Sequence, residues 1–425
     1  MTYKTMVTGS KCINCGHVYN EGRYFEGCKK CRTSTFSSNL TVTYNYKKLK
    51  NIFTKDLVAS RNHNLWRYRE LLPVRSDFII SLGEGGTPLI QCNKIAENFN
   101  MNTLFIKDES MNPTWSFKDR LASVAISKAC EFGISTVVVS STGNQGAATA
   151  AYAAHAGLQC VIFTLEDVPK TMKVLMQIYD AKVVSCENLN ERWKLMSKCI
   201  KKYNWYPISN YVSPPVGSNY YGIEGYKTIA FEIVEDLGWK APDVFIASVA
   251  YADGLFGIWK GFKELKKLGF IDRLPRMVAA EVFGSLSNGL VKGNNCPKNV
   301  PTHPTIAFSI ATPISSFQGL KSLIESNGIA VTVTDEEILK MQIELGKKEG
   351  IFAEPSSIAS LVGAKKLRID DWIKPWENVV CLNTSSGLKD INTAANNIPK
   401  IPLVGSSIDE LSKTLKETYN FVIEK

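Results

Sequence analysis

Residues 103–147 read TLFIKDESMNPTWSFKDRLASVAISKACEFGISTVVVSSTGNQGA. The first five, 103–107, read as a β-strand. Ser116 then opens a helix, and Asp119 completes an S-x-x-D capping box. Leu121, Val124, Ala125 and Ala129 recur at helical spacing as its apolar stripe, and Gly133 ends it. The β-branched run 134–140 reads as a buried strand. A Gly-bearing turn follows, then an Ala-rich helix through Ala156 that Gly157 stops. Strands that alternate with helices in this way form βαβ units and a parallel sheet.

The same rhythm extends outward. Strands are expected at 158–164 and 181–186, with a helix after Pro169 between them. The second half gives a helix at 222–237, a strand at 243–250, a helix at 255–268 and a strand at 277–282. Helices at 335–348 and 356–367, a strand at 378–383 and an amphipathic helix at 407–419 complete the pattern. The class is α/β, with right-handed crossovers and function in the loops after the strands. The 425 residues are 44% apolar and 21% charged, a globular composition long enough for two domains. No uninterrupted apolar run reaches the roughly 18 residues of a membrane span. The first ten residues hold no apolar core of a secretory signal. A soluble cytoplasmic protein with no membrane partner is expected.

Four of the 11 cysteines, Cys12, Cys15, Cys28 and Cys31, are spaced C-x2-C-x12-C-x2-C. Each C-x-x-C lets two thiolates of one tight turn reach a shared tetrahedral centre, so the segment reads as a structural zinc ribbon with no open coordination position. Two disulfides are the competing reading. The other seven cysteines are scattered like small core residues of a reducing compartment, which disfavours it. Residues 1–50 carry nine Lys/Arg against two acids, hence +7 of the net +10. Nucleic-acid binding is the minority reading of that charge, because few aromatics interleave with it.

Three post-strand loops offer chemistry. Lys118 stands in the first turn of its helix, where the dipole disfavours an ammonium, as a Schiff-base lysine requires. On position alone, a surface lysine paired with Asp119 or Asp108 is the simpler reading. The loop 140–147, SSTGNQGA, can present backbone N–H groups and the Asn144 amide to an anion or ring oxygen. A plain glycine turn is its bland alternative. The loop 383–390, NTSSGLKD, offers the hydroxyls of Thr384, Ser385 and Ser386. The loop after strand 243–250 is a poorer fourth, since only Gly254 lets backbone approach a phosphate closely.

Six segments stand in one order: GEGGTPL (83–89), NPTWSFKDR (112–120), SSTGN (140–144), IEGYKTIAFEI (223–233), AEPSS (353–357) and TSSGLKD (384–390). Together they resemble threonine synthase and its relatives among the fold-type-II pyridoxal-phosphate (PLP) enzymes, over about three quarters of the chain. The resemblance implies two three-layer α/β/α domains with open, mainly parallel sheets and a small N-terminal zinc ribbon. It implies a ribbon at 1–45, a large PLP-binding domain at 46–120 and 216–425, and a small domain at 121–215. Lys118 would form the Schiff-base link and shuttle protons. Asn144 would meet the cofactor's phenolic oxygen and Thr384 its pyridine nitrogen. Ala250, Tyr251, Ala252, Asp253 and Gly254 would hold its phosphate. Ser141, Thr142 and Gly143 would meet the substrate, with Trp115 beside them. A homodimer acting on a small amino-acid substrate follows from the same resemblance.

The chain departs from that family at three points. Trp115 replaces a usual Gly, where an indole would narrow the pocket or stack on a substrate. The phosphate loop is poor in glycine, so alanines there are strained wherever φ is positive. Gly222 stands where an Arg commonly meets the substrate phosphate. The implied reaction is O-phosphohomoserine plus water to threonine plus phosphate. Two alternatives stay open: β-replacement or elimination on O-phosphoserine, O-acetylserine, serine or threonine, and a non-catalytic binding protein.

Overall fold

The computed structural model describes residues 5–423 apart from 292, 294 and 295. Thr103–Asp108 forms the strand read from its sequence, one residue longer. It pairs in parallel with Asn378–Asn383, in register from Asn378 opposite Thr103 to Asn383 opposite Asp108. Around this pair runs a six-stranded sheet in the order Ile329–Thr332, Arg276–Glu281, Val244–Ser248, Asn378–Asn383, Thr103–Asp108, Leu89–Gln91. Only the edge strand Leu89–Gln91 is antiparallel. A second, all-parallel sheet has the order Lys182–Cys186, Gln159–Leu165, Thr136–Ser140, Tyr206–Pro207. The central strands are buried along their length, as in VFIAS at Val244–Ser248, because helices cover both faces of a parallel sheet.

The helix Tyr220–Asp236 joins the parts. Its side chains are buried from Tyr220 through Val234, so it is covered on all sides. It packs against both Lys118–Glu131 and Asp253–Leu268. Glycines make the close approach possible: a Cβ on Gly225 would fall 2.0 Å from the Arg120 carbonyl oxygen.

The N-terminal residues form a three-stranded antiparallel sheet, Val18–Tyr19, Val7–Cys12, Leu40–Tyr44. It is bonded into the large core rather than tethered beside it. The Val42 N–H and Tyr44 hydroxyl both donate to Glu224, and the Tyr220 hydroxyl donates to the Gly22 carbonyl at 2.6 Å.

The expected Ser116–Asp119 capping box does not form. The helix begins at Lys118, with Phe117 at its cap and no side-chain capping bond. The loop after Asn378–Asn383 captures this backbone first: Ser116 bridges Ser385, and the Phe117 N–H donates to the Thr384 carbonyl at 2.9 Å. Asp119 accepts instead from the Thr114 N–H (3.0 Å) and hydroxyl (2.7 Å). Elements absent from the sequence reading include the strand Ile329–Thr332 and the helix Leu189–Tyr203.

Candidate active site

Strand ends from both sheets open onto one cleft of about 550 Å³. Lys118, Asn144 and Thr384, far apart in sequence, line it together. So do Ser141, Thr142 and Gly143, and residues 250–254.

Lys118 is neither a surface lysine nor the partner of an acid. Among the described residues it makes no hydrogen bond or ion pair. Its Nζ lies 4.5 Å from the Phe117 ring centre and 5.6 Å from that of Tyr226. Burial lowers its pKa, and the charges of Asp253 and Glu354 only partly offset this. A lysine that yields its proton readily and has no competing partner is fit to attack a carbonyl.

Asn144 is held from both ends. Its Nδ2 donates to both Glu354 oxygens at 3.1 Å, and its Oδ1 accepts from Lys389 at 2.7 Å. Burial lowers the Lys389 pKa to about 8, against the pull of Asp119 and Glu354. Burial also raises the Glu354 carboxyl, against Lys389 and Asn144. Thr384 shares a 2.7 Å hydrogen bond with the Ser357 hydroxyl. The sequence assigns Glu354, Ser357 and Lys389 no role, although AEPSS and TSSGLKD contain them. Their buried polar character becomes informative only when the two segments meet. Ser141 is partly committed: its Oγ accepts from the N–H groups of Gly143 (3.1 Å) and Gly146 (3.0 Å).

The loop 250–254 is fastened from behind. The Ser315 hydroxyl donates to the Ala250 carbonyl (2.7 Å) and the Ser316 hydroxyl to that of Tyr251 (2.5 Å). Asp253 accepts from the Ser218 N–H and hydroxyl at 2.9 and 2.6 Å. Of the loop's two alanines, only Ala252 takes a left-handed conformation, with φ 58°. A Cβ on Gly254 would meet the Phe117 ring at 2.8 Å, so this glycine lets the loop close on the Lys118 segment. Helix Asp253–Leu268 starts here and directs its N-terminus at the cleft, which suits a phosphate ester. A poised amine, a clamped amide and a phosphate-seeking helix end fit pyridoxal phosphate.

Several motifs do their work beneath the cleft. Arg120 bonds Glu109 (Nε–Oε2, 2.6 Å) and Glu232 (Nη1–Oε1, 2.6 Å), and Lys107 reaches Glu232 at 2.9 Å, all fully buried. The Thr87 hydroxyl donates to Glu109 at 2.6 Å. GEGGTPL, NPTWSFKDR and the helix containing IEGYKTIAFEI thus share one ionic network, which anchors the helix bearing Lys118.

At the N-terminus the Sγ atoms of Cys12, Cys15, Cys28 and Cys31 lie within 4.8 Å of one another. Cys12 and Cys31 are 3.7 Å apart, and Cys15 and Cys28 are 3.8 Å apart. A tetrahedron with metal–sulfur bonds of about 2.3 Å has edges of about 3.8 Å.

The family pattern described as "Pyridoxal-phosphate dependent enzyme" matches residues 80–385. The "Threonine synthase" of Methanocaldococcus jannaschii is 34% identical over 419 residues, covering 96% of this chain and 99% of that one. This chain belongs to the threonine synthase family of pyridoxal-phosphate-dependent enzymes. The "Threonine synthase" of Methanosarcina acetivorans is 35% identical over 411 residues, with 95% and 98% covered. Diaminopropionate ammonia lyase from Escherichia coli shares the fold at TM-score 0.64 and 16% identity, over 75% of this chain and 88% of that one. O-ureido-L-serine synthase does so at 0.58 and 21%, over 76% and 95%.

Two of this threonine synthase relative's departures take on a structural meaning. Trp115 is outside the cleft lining and 45% exposed. Its backbone has φ 59°, and its carbonyl accepts from the Ser385 hydroxyl at 3.0 Å. Gly222 is sealed between helices: a Cβ there would meet Leu121 Cγ at 2.9 Å and Ala125 Cβ at 3.0 Å. A larger side chain at this position meets the helix Lys118–Glu131, so any substrate-phosphate arginine must come from elsewhere.

Proposed function

We propose that this enzyme converts O-phosphohomoserine and water to threonine and phosphate, with Lys118 as its catalytic residue. The observation that carries the reading is an unpartnered amine, its basicity lowered by burial, where three post-strand loops meet. When bound, pyridoxal phosphate supplies an aldehyde that captures amines and a ring that spreads electron density from the substrate α-carbon. Lys118 takes a proton from that carbon at Nζ and returns it elsewhere on the substrate. Thr384, oriented by Ser357, meets the ring nitrogen with a hydroxyl. This adds no negative charge to hold a proton there, so proton handling rests more heavily on Lys118. Asn144 turns its amide to the phenolic oxygen. Ser141, Thr142 and Gly143 orient the substrate carboxylate. Residues 250–254 hold the cofactor phosphate at the helix N-terminus.

The same proposal places one structural Zn²⁺ among the four N-terminal cysteines, supported by their tetrahedral spacing. No helix among the described residues is long and apolar enough to cross a membrane; a cytoplasmic location is part of the same proposal. Exposed apolar residues of the tail, such as Ile401 and Leu403 at 92% and 98%, are in keeping with a homodimer. Three domains are proposed at the boundaries expected from sequence.

The test is borohydride reduction followed by peptide mass analysis, together with phosphate and threonine release from O-phosphohomoserine. The expected result is a reduced cofactor adduct on the Lys118 peptide, absent in Lys118→Ala, and both products at equal rates. Turnover of O-phosphoserine or O-acetylserine without turnover of O-phosphohomoserine would replace the proposed reaction with β-replacement or elimination.

A further inference from the structure

The helix Leu189–Tyr203 places Arg192 in the wall of the same cleft. Arg192 is only 7% exposed, and its Nε and Nη1 have no hydrogen-bond partner. No carboxylate pairs with it among the described residues, since the adjacent Glu191 bonds Lys194 at 2.8 Å instead. Burial lowers its basicity, yet a guanidinium keeps its charge at neutral pH. A buried charge without a partner is costly to maintain. A merely structural arginine would have its fork satisfied by carbonyls or carboxylates, as Arg120 does.

The cleft that Arg192 lines offers further donors to an anion with several oxygens. Ser140 and Ser309 line the cleft, and each has a buried hydroxyl without a partner. Arg192 lies near the start of its helix, where the dipole adds positive potential and penalises a cation left without an anion. Its neighbour Trp193 packs its ring 6.0 Å from that of Tyr251, the second residue of the loop 250–254. A guanidinium fork matches two oxygens of a phosphate ester at once.

We propose that Arg192 binds the phosphate monoester of the amino-acid substrate, the role that position 222 cannot fill. This rests on the O-phosphohomoserine reading. The cofactor's phosphate ester has the same chemistry, and Arg192 adjoins its proposed loop through Trp193 and Tyr251, so the test separates the two.

The test uses holoenzymes of wild type, Arg192→Ala, Arg192→Gln and Arg192→Lys. Three quantities are read: KM for O-phosphohomoserine, the affinity for inorganic phosphate by calorimetry, and the cofactor Kd from titration of apoenzyme. Arg192→Ala raises KM about 30-fold and weakens inorganic phosphate about tenfold, while the cofactor Kd stays within about twofold. Arg192→Gln behaves alike with nearly the same bulk, and Arg192→Lys recovers part of both losses. Unchanged KM and phosphate affinity overturn the proposal. A loss confined to the cofactor Kd also overturns it and moves Arg192 to the cofactor's phosphate. If the wild type makes no threonine, the functional reading fails. The calorimetry then decides by itself whether Arg192 binds phosphate.

Discussion

Gly225→Ala tests whether helix contact sets the position of the reactive amine. The added Cβ would lie 2.0 Å from the Arg120 carbonyl oxygen and 2.6 Å from its carbon, where ordinary contact begins at 3.4 Å. The obstacle is backbone and cannot rotate aside, so the two helices must part by on the order of 1 Å. Alanine gains about 1 kcal/mol in helix propensity. Overpacking costs about 1–3 kcal/mol, and contact with backbone puts this site at the upper end. The net expectation is a loss of about 2 kcal/mol. Arg120 is two residues from Lys118, so the displacement also reaches the amine. Urea unfolding gives the stability, and the borohydride-trapped fraction gives the position of Lys118. Gly222→Ala is the control: its Cβ meets Leu121 Cγ at 2.9 Å, Ala125 Cβ at 3.0 Å and the Leu121 carbonyl oxygen at 3.1 Å, a much smaller overlap than at Gly225, so it loses less. A Gly225→Ala protein with the wild-type urea midpoint and full trapping would refute the reasoning.

Glu232→Gln leaves the buried charges of Arg120 and Lys107 under-compensated and costs about 3 kcal/mol at neutral pH. Burial works to raise the Glu232 pKa, but Arg120 and Lys107 hold it well below the usual carboxylate range. Its contribution is therefore complete above the unfolded carboxyl pKa of about 4.3 and fades as pH falls toward the folded value. Urea midpoints measured against pH show the gap between wild type and Glu232→Gln narrowing below about pH 4. For the proposed zinc site, the expected outcome is that Cys15→Ser takes up less added Zn²⁺ per chain than the wild type, read by elemental analysis, and melts at a lower temperature. Ala252→Gly relieves the left-handed conformation and stabilises the protein by up to about 1 kcal/mol, checked by the same unfolding assay.

Asn144 and Thr384 were legible as candidates because each sits in a loop after a β-branched run, where an α/β sheet presents its ligand sites. Arg192 was not legible. An arginine beside Glu191 and before Trp193 looks like any amphipathic surface. Only burial without a partner distinguishes it. Trp115 misled in the opposite direction: its place in the motif suggested a pocket wall, but its backbone twist turns the indole outward. The Ser116–Asp119 box was sound as local chemistry and lost to a long-range pairing with Ser385.

The sequence by itself determined the alternation of strands and helices, the four-cysteine cluster and the order of the motifs. Those depend on periodicity and spacing along one chain. Only the tertiary structure decided which buried charges are satisfied and which are left waiting for a ligand. Hydrogen bonds and ion pairs between Arg120 and Glu232, or Asn144 and Lys389, join residues more than a hundred positions apart. Local propensity carries no information about such partners. The helix packing that brings them within 3 Å is what turns a set of motifs into a site.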